Sequence, residues 1–285
     1  LAALGMALAA PMAHGSAEAL IRAKCLPCHT EADDGISRIS HQRKTPEGWL
    51  MSVARMQIMH GLKITDEERR TVVKYLADAQ GLAPSETAGA RYAMERRLNT
   101  VEAFESEKFT QMCARCHSGA RVMLQRRPAS EWEHLVHFHL GQFPTTEYQA
   151  LSRDRDWFGI ALKEMVPELA NKLPLQSDAW TQWQARAPQA VKGEWSMSGH
   201  LAGRGGFAGV MKVAAGEGQD RYTLAFEGRW DDGKPMQGKG QALIYTGYEW
   251  RGDLVVDGTP MRQVFAVEDG VMRGRMFLRD QDEVG

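Results

Sequence analysis

The stretch KCLPCHTEADDG, residues 24–35, places Cys25 and Cys28 three positions apart and puts His29 directly after them. The same unit returns as MCARCHSGA at residues 112–120, with Cys113, Cys116 and His117, and the two copies use all four cysteines of the chain. C-x-x-C-H is the attachment signature of c-type haem. Two thiols at this spacing add to the two vinyl groups of one porphyrin, and the following imidazole meets the iron from its proximal side. The tether lets a small fold keep a cofactor that it could not otherwise bury. Two covalently bound haem c groups are therefore expected. One sits on Cys25 and Cys28 with His29 on the iron, the other on Cys113 and Cys116 with His117 on the iron.

Two other chemistries use C-x-x-C. A redox-active pair follows a strand in a βαβ unit, which is missing around both motifs. A four-cysteine zinc site joins two pairs separated by about 15–20 residues. Here most of a domain separates Cys28 from Cys113, and neither chemistry explains a histidine after both pairs.

Outward from the motifs, the pattern is helical. AEALIRAKC leads into the first unit, TPEGWLMSVARMQIMHG follows with Pro46 at its start and Gly61 as a stop, and TDEERRTVVKYLADAQG opens on a Thr65/Glu68 capping box and closes on Gly81. LAPSETAGARY, residues 82–92, reads as a linker. The plan then repeats: TVEAFESEKFTQMC enters the second unit, and PASEWEHLVHFHLGQFP follows as a helix. Aligning Trp49 with Trp132 also aligns Arg43 with Arg126, six residues earlier in each copy. RDWFGIALKEMVPELANKLP is a further helix, interrupted by Pro167. From about residue 190 polar and apolar residues alternate, with turn signals at Asp232-Gly233, Asp257-Gly258 and Asp269-Gly270.

The fold expected is α+β and multidomain: an N-terminal all-α dihaem cytochrome c domain of two cytochrome c-like halves, then an antiparallel β-barrel or sandwich. Its bounds are 18–175, with halves at 18–84 and 90–175, and then 190–285. GRGGFAG at 203–209 lies in the β-region without a following helix and reads as a glycine-rich turn, and His200 as a surface residue.

A length of 285 residues suits about two domains, and a net charge of −1 lacks the basic footprint that nucleic acid calls for. LAALGMALAAPMAHGSA, residues 1–17, reads as the end of a secretory signal peptide with small-residue cleavage sites near Ala13, Gly15 and Ala17. It is too short to span a bilayer, and no later segment could. Export to the periplasm is expected, which suits haem c attachment. The stop directly after a strand pattern suggests a portion of something longer.

A haem that only moves electrons has two protein axial ligands, with Met or His on the distal side. Candidates are His41, Met51, Met56, Met59 and His60 for the first iron, and Met123, His134, His137 and His139 for the second. Seven residues beyond each aligned tryptophan stand Met56 and His139, about two helical turns on and on the same face. The alignment favours His29/Met56 and His117/His139, with the others left open. Thioether ligation raises the potential, so electrons would pass from the second haem to the first. No catalytic constellation appears, so the source of electrons lies elsewhere.

CLPCH, RKTPEGWLMSVARMQIMHG, CARCH and EWEHLVHFHLGQFP, in that order before an antiparallel β-domain, resemble the α subunit of quinohaemoprotein amine dehydrogenase across essentially the whole chain. The resemblance implies a heterotrimer with a β-propeller subunit and a small subunit. That small subunit carries cysteine tryptophylquinone and oxidises primary amines. The chain would take electrons from that quinone and pass them to an external cytochrome c or blue copper protein. The resemblance also implies further β-domains beyond this one. A free-standing dihaem cytochrome, a dihaem peroxidase and a haem-based sensor are the rival functions.

Overall fold

The computed structural model describes residues 14–91, 102–149, 152–153 and 155–279. Residues 1–13 of the expected leader lie outside it. His14 opens the first helix, where Ala17 is buried. The helical region comprises α1 (His14–Cys25), α2 (Pro46–His60), α3 (Asp66–Ala79), α4 (Pro84–Thr87), α5 (Glu107–Cys113), α6 (Ala120–Met123), α7 (Ala129–Gln142), α8 (Trp157–Ile160), α9 (Val166–Lys172) and α10 (Asp178–Gln184). Two-residue strands lie among them as three antiparallel pairs: β1 (Glu31–Ala32) with β2 (Gly35–Ile36), β3 (Arg43–Lys44) with β4 (Gln125–Arg126), and β5 (Tyr148–Gln149) with β6 (Ser152–Arg153). No helix among the described residues is long and apolar enough to cross a membrane.

Local chemistry accounts for most helix ends. Thr45 caps α2 by accepting the Gly48 amide, and Gly61 ends it in the left-handed region at φ 70°. Thr65 and Glu68 form the reciprocal capping box of α3. That helix does not close on Gly81, however. Gln80 ends it, and its side-chain amide donates to the Ile39 and Gln42 carbonyls at 2.8 Å each. Gly81 serves close approach instead: a Cβ there would lie 2.3 Å from the Ala77 carbonyl oxygen and 2.7 Å from the Thr246 side chain. In the second copy α5 is shorter than TVEAFESEKFTQMC suggests, because Ser106 caps it by accepting the Phe109 amide. The Pro167 interruption takes the form of a π-helical segment, Ala161–Met165, between α8 and α9. Proline has no amide to close the ordinary ladder there.

Each cysteine pair has its own small core. Around the first, Ile21, Trp49, Val53, Val72, Val73, Leu76 and Ala77 interlock, and Cys25 packs against them. Around the second, Phe109, Met112, Trp132, Val136, Trp157, Met165 and Leu169 do the same with Cys113. Residues at matching positions of the two copies meet between the cores. Arg43 pairs with Arg126 across β3 and β4, and the Arg55 guanidinium lies 4.8 Å from the centre of the Phe138 ring.

The expected linker is no loose connection. Leu82, Ala83, Pro84 and Thr87 are buried, and Glu86 receives Arg43 at 2.8 and 2.9 Å and Arg126 at 3.1 Å. Burial alone would raise the Glu86 carboxyl. Hydrogen bonds from Arg43 and the Ala83 amide, with the Arg126 charge, instead bring it down to about 2.

The C-terminal region is one sheet, not two packed layers. β7 (Gly193–Leu201), β8 (Gly205–Ala215), β9 (Arg221–Trp230), β10 (Pro235–Tyr245), β11 (Glu249–Val256), β12 (Thr259–Glu268) and β13 (Val271–Leu278) pair consecutively as an antiparallel meander. The sheet curls into a near-barrel, with β7 and β13 lining one cavity but not hydrogen-bonded to each other. Asp257-Gly258 and Asp269-Gly270 turn with both residues at positive φ, as tight hairpins require. His200 is exposed on β7, and the 203–209 stretch turns into β8 without meeting a helix.

The sheet is fastened to the first core. Thr246, in the turn between β10 and β11, donates its amide to Asp78 at 2.8 Å and its hydroxyl to the Ala77 carbonyl at 2.9 Å. Arg251 holds Glu47 of α2 with two bonds, at 2.7 and 3.1 Å, and Tyr248 meets Thr87 at 2.9 Å.

Candidate functional site

Cys25 is the last residue of α1 and Cys113 the last of α5, so each attachment unit unwinds from the end of a short helix. In both pairs the first cysteine is half-buried and the second exposed, and none is in a disulfide. Burial, with the Glu168 charge, pushes the Cys113 thiol up to about 12, and burial also raises Cys25, helped by the charge of Cys28. Both stay protonated thiols. The pairs do not converge on a shared centre: no group of three or more His, Cys, Asp or Glu gathers to hold a metal among the described residues.

Cys113, Cys116 and His117 line a cavity of about 400 Å³ with His139. The His117 and His139 rings stand 6.4 Å apart between centroids. Nδ1 of His117 lies 2.9 Å from the Ser118 carbonyl oxygen, and Nδ1 of His139 lies 2.8 Å from that of Leu135. A carbonyl only accepts, so each Nδ1 carries the proton and each Nε2 keeps its lone pair for a metal. Burial holds His139 below the usual imidazole value, which favours the neutral form a ligand needs. Trp157, Phe138 and Phe143 surround its ring at 5.9 to 6.2 Å. Trp157 is itself fixed by donating its indole N–H to the Met112 carbonyl at 2.9 Å.

The other candidates for this iron lie elsewhere. His134 and His137 are exposed, with His137 3.9 Å from Glu133 and its ring against Phe158. Met123 is 36% exposed on α6, and none of the three lines the cavity.

Around the first pair, His29 is half-buried and its Nδ1 lies 2.9 Å from the Ser37 carbonyl oxygen, which again leaves Nε2 open. Met56, half-buried, follows Trp49 and Val53 of the first core at helical spacing on α2. Met51 is among the residues lining the second cavity. Met59 is 43% exposed, His60 faces solvent, and His41 is held by Asp34 at 3.0 Å.

The sequence reading missed the polar lining of the second cavity. Lys44, Ser52 and Arg55 reach it from the first copy, and Arg127 from the second. A signal was present, since Lys44 and Arg127 directly follow the aligned arginines, and Arg55 directly precedes Met56. Two thiols, two imidazoles with open Nε2 atoms, aromatic walls and several cations make a chamber suited to a flat, tethered, anionic metal cofactor.

Among families, the model described as quinohemoprotein amine dehydrogenase A, alpha subunit, haem binding, matches residues 15–180. The model described as quinohemoprotein amine dehydrogenase, alpha subunit domain II, matches residues 188–285. No curated protein gives a match to the chain.

Proposed function

The chain belongs to the α-subunit family of quinohemoprotein amine dehydrogenases, and on that premise we propose that it is the dihaem electron-transfer subunit of a periplasmic amine dehydrogenase. It would take electrons from a cysteine tryptophylquinone on a small partner subunit, beside a β-propeller subunit, after oxidation of a primary amine. It would pass them to an external cytochrome c or blue copper protein.

One observation carries the reading: His117 and His139 face each other at 6.4 Å in a chamber that also holds Cys113 and Cys116. At that separation the two imidazoles, each with its Nε2 lone pair uncommitted, would be able to hold one metal together. Haem c supplies reversible one-electron transfer when bound. Everything else falls to the chain. Cys113 and Cys116 tether the second group, while Cys25 and Cys28 tether the first. His117 and His139 present Nε2 because their Nδ1 protons are committed to backbone carbonyls. Phe138, Phe143 and Trp157 keep water from His139. His29 and Met56 serve the first iron. With the Met56 thioether on it, the first haem would have the higher potential, so the second would be the entry and the first the exit.

Purification with its partner subunits from a host that attaches haem c tests this. Anaerobic addition of a primary amine should reduce both haems, and removal of the quinone-bearing subunit should abolish that reduction. A haem-loaded complex indifferent to amines would overturn the assignment.

A further inference from the structure

Lys44 and Arg55 line the second cavity, and no carboxylate pairs with either among the described residues. Lys44 is 7% exposed; its ammonium has only the Ser52 hydroxyl at 2.6 Å and the Trp49 ring at 5.2 Å. Arg55 is half-buried and rests on the Phe138 ring. Trp132, 2% exposed, also lines the cavity, and its indole N–H finds no acceptor. The nearby carboxylate, Glu131, already receives Arg127 at 3.4 Å and lies 3.9 Å from Arg38. Arg115, Arg121 and Arg155 line the same cavity, each with other interactions.

Burying cations and a donor without partners is costly unless a ligand completes them. Lys44, Arg55, Arg115, Arg121, Arg127 and Arg155 all line the cavity and no carboxylate among the described residues does, so the lining complements an anionic group. We propose that Lys44, Arg55 and the Trp132 N–H form the site for the propionate carboxylates of the second haem, so that the first half of the helical region completes the second half's cofactor site. This rests on the haem reading above. Burial, with the Arg127 and Arg55 charges, drives the Lys44 ammonium well below the usual lysine value, and an arriving carboxylate reverses that bias. Helix α2 then serves both haems, with Met56 for the first and Gly48, Met51, Ser52 and Arg55 lining the cavity of the second. In this arrangement Lys44 and Arg55 are positioning residues.

The test uses the full chain produced with haem attachment, comparing Lys44→Met and Lys44→Arg by haem content and by potentiometric titration of each haem. A cation beside a haem favours the ferrous state. Lys44→Met should therefore shift the second midpoint to lower potential, by more than the first, and Lys44→Arg should stay near the parent. If Lys44→Met instead loses the second haem, Lys44→Arg should regain it. A fully loaded Lys44→Met with an unmoved second midpoint would overturn the clamp, as would failure of Lys44→Arg to restore the parent behaviour. Failure of the haem reading looks different, because the parent chain itself would then carry no covalent haem on Cys113 and Cys116.

Discussion

Trp49 and Trp132 hold the same place in their units, each deeply buried beneath a basic side chain, with Lys44 over one ring and Arg127 over the other. The Trp49 indole N–H donates to the Gln80 carbonyl at 3.2 Å, whereas that of Trp132 has no acceptor. The first unit is closed by protein: α3 ends on Gln80, and the sheet docks behind it through Thr246 and Arg251. The second opens on a cavity into which α2 of the first unit reaches. A duplicated plan has thus been used twice for different ends, one copy anchoring the β-region and the other lining the cavity beside Cys113 and His117.

Removing the tethers should separate the units most sharply. Cys113→Ala with Cys116→Ala should abolish the second covalent haem and lower thermal stability more than Cys25→Ala with Cys28→Ala, because it leaves the 400 Å³ cavity without its occupant. Intact mass and thermal unfolding would check both. Equal losses of stability would break the contrast. The next largest effect is spectroscopic: His139→Ala should turn the second haem high-spin, while His137→Ala leaves both spectra unchanged.

The seam between the copies comes third. Glu86→Gln should cost about 3 kcal/mol at neutral pH, because it strips the carboxylate from two buried arginines. The Glu86 carboxyl is lowered from 4.5 to about 2. Its contribution is therefore full above 4.5 and disappears as the pH falls toward 2. Denaturant titrations at pH 7 and pH 3 should show the parent losing more stability than Glu86→Gln over that interval. Gly81→Ala should be the mildest, at about 1–3 kcal/mol, since its Cβ must displace both the Ala77 carbonyl and the Thr246 side chain. That loss should appear in docking of the sheet on the first core and leave the second haem's spectrum unmoved.

The parts legible in the sequence were those that short-range chemistry dictates. C-x-x-C-H, the Thr65/Glu68 box, Gly61 and the Asp-Gly hairpins each carry their reason within a few residues. The tryptophan alignment went further, because a repeated spacing encodes a repeated helix face, and Arg43 and Arg126 do meet. What could not be read depends on contacts distant in sequence. The end of α3 is set by carbonyls at Ile39 and Gln42, and the 82–87 segment is held in place, with Leu82, Ala83, Pro84 and Thr87 buried, because Glu86 answers two arginines from different copies. Lys44 carries no signal of its own in the sequence beyond following the aligned Arg43. Its place in the other copy's cavity follows from the pairing of β3 with β4, where it stands opposite Gln125, which periodicity does not encode.

The two proposed haems should be unequal, and that inequality is the most direct test. Potentiometric titration of the haem-loaded chain, followed by electron paramagnetic resonance, should show two low-spin ferric signals, one bis-imidazole and one imidazole–thioether. The bis-imidazole signal should titrate at the lower potential. Two signals of the same ligation, or a high-spin haem in the resting protein, would contradict it.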